Sequence, residues 1–179
     1  MKPSRVNVTR MAELSIARPS LLWKHMSTDR RRQAAESFWR DENGAAEQAQ
    51  AVTAIAQHLK FRTKSVAVLP VARKIQYLIA LPIVPETVAS RLLVSYHFEH
   101  QRPIMAAFLD ALGVAHDNGM LAEDSVIPED PDRIRAAAKA LAGSFPAEDV
   151  SLYLSTLWWQ DPSWGVLADL PETAANRTA

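Results

Sequence analysis

The sequence predicts an all-α protein: a single-domain helical bundle or short helical array of six to eight helices separated by proline and glycine breaks. Three observations carry this. Glycine occurs only five times in 179 residues and alanine is frequent, a balance that favours helix. Apolar residues recur mostly at three- and four-residue steps, the spacing that collects side chains on one helical face. The eleven prolines fall largely between these periodic stretches, where a ring that removes an N–H donor starts or stops a helix. A chain of this length can bury a sizeable core. One helical domain is expected over residues 21–170, after a flexible segment 1–20 and before a polar tail 171–179.

Ser27, Thr28 and Asp29 offer N-caps for a helix through Trp39, and after the Asn43-Gly44 break a second helix covers Ala45 to Lys60. Ser65 to Leu69 and Ile75 to Val84 are rich in Val, Ile, Leu and Tyr, as strands are. Arg73, Lys74 and Gln76 nevertheless interrupt the apolar run as an exposed helical face would, so two short helices bounded by Pro70 and Pro82 are predicted. Pro85 opens a helix to about Gln101, with Val88, Leu92 and Tyr96 on one face. Ile104 to Leu112 is apolar nearly all round except Asp110, which predicts a central buried helix, and Gly113 follows as its cap. His116 to Asp132 reads as a long acidic connection with at most one turn at Met120 to Asp124. Helices over Asp132 to Ala142 and Pro146 to about Gln160 follow, then a short turn over Ser163 to Leu170.

The formal net charge of zero hides a segregation. Residues 1–74 hold 14 Lys/Arg against 6 Asp/Glu, and residues 75–179 hold 6 against 14. Attraction between the two halves is the simplest reading; a basic face for nucleic acid is the other. The absence of cysteine removes disulfides, thiolate chemistry and cysteine-containing zinc sites. No stretch approaches the roughly 18 apolar residues of a membrane span; the nearest, Tyr77 to Val84, contains Pro82. A soluble, cytoplasmic protein is expected. The first twenty residues hold four Lys/Arg and one acid, Glu13, a composition shared with transit peptides, although a flexible lead-in explains it as well.

Glycine-rich phosphate loops, GxSxG elbows and DxDxDG calcium loops are absent, and no cofactor is implied. Three clusters remain. His97 and His100, three apart on one helix, could share a metal ion or, with Tyr96 and Glu99, line a pocket; a third ligand would have to come from Glu86, His58 or His116. The alternative is that both histidines flank an ordinary apolar stripe, favourably close to the C-terminal end of the helix dipole. Arg30, Arg31 and Arg32 could contact phosphate, or form one solvated helix face. Val150 to Trp159 carries apolar residues around almost the whole helix and Trp164 follows. Either that helix is central to the core, or Trp159 and Trp164 anchor a partner. The function expected is that of a non-enzymatic protein-interaction module, binding a protein partner or itself. An enzyme or ligand-binding protein centred on His97 and His100 is the alternative, and nucleic-acid binding through the basic half the third.

Overall fold

A computed structural model describes residues 18–176 of the chain, with side chains to Thr173. The expected flexible segment falls, up to residue 17, outside the described residues. The described chain is helical throughout apart from one two-stranded hairpin, and it divides into two compact units, residues 18–101 and residues 102–176. Among the described residues no helix is long and apolar enough to cross a membrane.

The N-terminal unit comprises α1 (Pro19–His25), α2 (Thr28–Arg40), α3 (Ala45–Leu59), α4 (Thr63–Ala67), α5 (Val71–Ala80) and α6 (Glu86–His100). Helix α6 is its axis, in contact with α1, α2 and α3. Val88, Leu92 and Tyr96 are buried as their four-residue spacing requires, and Ala89, Leu93 and Ser95 widen the stripe. Ser27 caps α2 by accepting from the Arg30 N–H at 3.3 Å, which satisfies one of the unpaired amides of the first turn. The segment that resembles strands forms α4 and α5, split by Pro70.

The C-terminal unit comprises α7 (Arg102–Leu112), β1 (His116–Asp117), β2 (Met120–Leu121), α8 (Pro131–Ala142), α9 (Ala147–Gln160) and two 3-10 helices, Pro162–Asp169 and Pro171–Asn176. Its central helix is α9, not α7. Every residue from Val150 to Thr156 is buried, because both 3-10 helices and α8 pack around α9. On α7, Ile104, Met105, Phe108, Leu109 and Leu112 face inward while Asp110 and Ala111 are exposed, an amphipathic and not an all-round apolar surface. Phe108 meets Tyr153 edge-on at 5.8 Å and Trp164 at 5.6 Å, geometries that suit the ring quadrupoles. Gly113 closes α7 at φ +63°, with the Val114 N–H donating to the Leu109 carbonyl at 3.0 Å, the expected left-handed cap.

Three further details differ from the sequence reading. There are nine α-helices among the described residues, above the six to eight expected. The additional one is α1, which begins at Pro19, a residue suited to a first helical turn, just inside the segment read as flexible. The acidic connection contains an antiparallel hairpin whose turn falls at Asn118 (φ +45°) and Gly119 (φ +84°), ahead of the turn expected at Met120 to Asp124; this is the residue pair that a tight two-residue turn favours. A Cβ at Gly119 would lie 2.7 Å from Cβ of Met105, so both φ and the close approach require glycine. Finally, Thr173 is buried and donates to the Leu167 and Leu170 carbonyls at 2.7 and 3.0 Å, although it lies in the segment read as a polar tail.

Candidate functional site

The histidines of α6 occupy opposite environments. His97 is 4 % exposed. Burial, reinforced by the nearby Arg30 guanidinium, lowers its pKa to about 3, so the ring stays neutral at ordinary pH. His100 instead turns toward α2, where its Nε2 lies 3.1 Å from Ser37 Oγ and its ring stacks on Tyr96 at 5.5 Å. Ser37 Oγ is also 2.9 Å from Glu99 Oε2, and Arg40 Nη2 holds the same carboxylate oxygen at 2.5 Å. Gln101 donates to the Tyr96 hydroxyl at 3.0 Å. The carboxylate of Glu99 thus sits on the serine and not on the far side of the imidazole, so the order of a serine–histidine–acid relay is not present. These groups tie α2 to α6.

No group of three or more metal-ligating side chains occurs among the described residues. The residues considered as third ligands are engaged or apart from the pair. Glu86 accepts from the Ser20 N–H and Oγ at 3.1 and 2.6 Å. His58 is exposed on α3. His116 Nε2 lies 3.0 Å from Asp110 Oδ1, while its Nδ1 accepts from the Gly119 N–H at 3.1 Å. Tyr96, His97, Glu99 and His100 do not line a common cavity: two are buried in the unit and two face α2.

Consecutive helical residues are 100° apart, and this separates the three arginines. Arg30 lies beside His97, Arg31 is half-buried in a cleft with Lys24 and Leu81, and Arg32 lines an open groove between α2 and α5. They do not form one phosphate-facing patch. The tryptophans are divided too. Trp164 is 4 % exposed within the core of its unit, whereas Trp159 is 38 % exposed and meets Trp158 edge-on at 5.0 Å. Only Trp159 of the two presents its ring to solvent.

An ion pair that the sequence does not announce joins α2 to α6. Asp41 Oδ2 receives Arg91 Nε at 2.7 Å and Nη2 at 2.6 Å, with Ser95 Oγ at 3.3 Å. Fifty residues separate its partners, so no local spacing reveals it.

A partly uncovered apolar surface lies around α5. Helix α5 carries Val71, Ile75, Tyr77, Leu78 and Ile79, yet only Leu78 is buried. Ile75 and Ile79, with Ala72, form one wall of the groove against Thr28, Arg32 and Glu36 of α2, a space of about 360 Å³. Immediately upstream, Phe61 is 54 %, Val68 82 % and Val71 46 % exposed. Lys60, Arg62 and Lys64 stand exposed among them with no carboxylate within ion-pair distance among the described residues. Lys60 ends α3 in the left-handed conformation, φ +55°, and the Phe61 N–H closes the turn on the Ala56 carbonyl. A side chain held at positive φ without being glycine is mildly strained, and such strain gathers at functional positions. One sequence signal marks this surface: between Glu47 and Glu86 the chain contains no Asp or Glu.

The chain matches no protein-family model, no curated protein and no solved structure. Its function is therefore read from its own surface.

Proposed function

We propose that this chain is a non-catalytic helical interaction module of the cytoplasm that recognises a protein partner, or a second copy of itself, through α5 and the segment 60–73. One observation carries the reading: α5 has five large apolar side chains and buries one. A helix normally earns its place in a fold through the apolar face it covers. An exposed apolar strip rimmed by charge is the usual form of a protein-binding surface. The polar clusters support the same reading, since Ser37, Glu99, Arg40 and His100 hold one another, as do Asp41 and Arg91.

A photo-crosslinking residue placed at Val68 or Val71, and at exposed Ala140 on α8 as control, tests it in the living cell. Covalent adducts are expected from positions 68 and 71 and not from 140. Adducts that are absent, or equal at all three positions, overturn the reading.

A further inference from the structure

Apart from Ile83, Phe98 and Trp159, every large apolar side chain exposed among the described residues falls in one of two short segments. The first is the basic segment 60–73, with Phe61, Val68 and Val71. The second is the hairpin and loop 117–129 of the C-terminal unit, with Met120, Leu121 and Val126, the last 82 % exposed. The second segment is the electrostatic inverse of the first. Asp117, Glu123, Asp124 and Glu129 are exposed and have no cationic partner among the described residues. Each segment combines charge of one sign, without an opposite partner among the described residues, with apolar side chains facing solvent.

The acidic segment is also held in shape. Arg102 Nη1 donates to the Asn118 carbonyl at 3.3 Å, His116 bridges Asp110 and the Gly119 N–H, and Ser125 Oγ donates to the Ala115 carbonyl at 2.5 Å. A loop ordered in advance loses less entropy when it docks. The basic segment is likewise fixed by the left-handed turn at Lys60 and by Lys74, whose Nζ lies 3.5 Å from the Ala67 carbonyl and 4.8 Å from the ring centre of Trp39.

We infer that the chain associates head to tail, segment 60–73 of one copy receiving the hairpin loop 117–129 of a second copy. This rests on the reading of segment 60–73 as an interaction surface and names its partner. Lys60, Arg62 and Lys64 would face Asp117, Glu123, Asp124 and Glu129, and the apolar side chains between them would lose water together. Because the two surfaces differ, the contact is heterologous, so a copy that is bound at its basic segment still offers its acidic loop to another. Rings or short open chains result, and salt weakens them.

Light scattering coupled to size exclusion tests this on the full chain. At low ionic strength the mass should rise above the 19.9 kDa of one copy with increasing concentration, and return to it in high salt. Two charge-reversed variants are compared, R62E/K64E and E123K/D124K, all at exposed positions, with circular dichroism to show that each folds. Each should associate more than about tenfold less tightly than the parent, as the loss of opposed charges at an interface implies. Mixed one to one, the intact basic segment of one variant meets the intact acidic loop of the other, and the two reversed surfaces oppose their charges as well, so the mixture should regain the association that each variant alone has lost. Should a reversed variant misfold, R62Q/K64Q and E123Q/D124N replace the pair under the same test. A parent chain that stays at the mass of one copy at every concentration, or variants that fail to complement on mixing, overturn the inference. Phosphatidylglycerol vesicles and a single-stranded oligonucleotide are run alongside; binding of either through segment 60–73 by a chain that stays monomeric overturns it in favour of that anion. If the parent is monomeric but positions 68 and 71 still crosslink to other proteins, the interaction module stands and only the second copy is lost. If neither occurs, both readings fall.

Discussion

The two units are held by different kinds of long-range contact. In residues 18–101 polar bonds span distant stretches of sequence: Ser20 with Glu86, Arg40 with Glu99, and Asp41 with Arg91. In residues 102–176 the described ion pairs are local, His116 with Asp110 and Arg135 with Asp132, and rings join distant elements instead, Phe108 lying against both Tyr153 and Trp164. The charges differ accordingly. Residues 18–101 hold 12 Lys/Arg against 7 Asp/Glu, and residues 102–176 hold 4 against 12. A unit registered by long-range polar contacts, one of them the partly buried pair of Asp41 and Arg91, should respond to pH and to the loss of single polar atoms, whereas one registered by aromatic packing should respond to volume.

The largest effect expected from this contrast is that of Phe108→Ala. The side chain is fully buried, and its removal should cost about 3–5 kcal/mol in urea unfolding, with hydrogen exchange rising first in residues 102–176. A loss below about 1 kcal/mol would mean that the rings are not what holds that unit.

Acidification should separate the units next. The pKa of His97 falls from 6.5 to about 3 on folding, so between these values the unfolded chain takes up a proton that the folded chain refuses. Stability therefore rises with pH over that window, by up to about 1.4 kcal/mol per pH unit, and this contribution is flat above it. Hydrogen exchange at pH 7 and pH 5 should show the loss concentrated in residues 18–101, and His97→Asn should flatten the acid limb. An unchanged slope in that variant would assign the sensitivity to other groups.

Asp41→Ala should be smaller, about 1–3 kcal/mol, because it leaves the partly buried Arg91 guanidinium without its acceptor. Smallest of all is Val71→Ser. A side chain 46 % exposed should change stability by less than about 0.5 kcal/mol while reducing the crosslinking and association described above. A large loss of stability there would place α5 in the core and remove the interaction surface.

Much of the backbone is legible from short-range rules. Ser27 caps α2, Pro70 divides the strand-like stretch into two helices, and Gly113 turns the chain after α7, each decided within three or four residues. The Asn118-Gly119 hairpin has an equally local signal, but its strands are only two residues long, too short for an alternating pattern to draw attention to them. Helix α1 hides in seven residues after a flexible-looking beginning.

Sequence by itself therefore determines that this chain is helical, where most helices begin and end, and that its charge is segregated. Tertiary structure alone decides which apolar faces are covered. Trp164 and Trp159 are equally apolar in the sequence, but the 3-10 helix carries one into the core while the other stays at the edge. His97 and His100 share a helix, yet one meets Arg30 and the other Ser37. The sequence marks Arg73, Lys74 and Gln76 as an exposed face of α5, but of the helix's five large apolar residues only Leu78 is buried. The reason is physical: caps and turns are settled by hydrogen bonds between near neighbours, whereas burial and ion pairing depend on which distant element arrives.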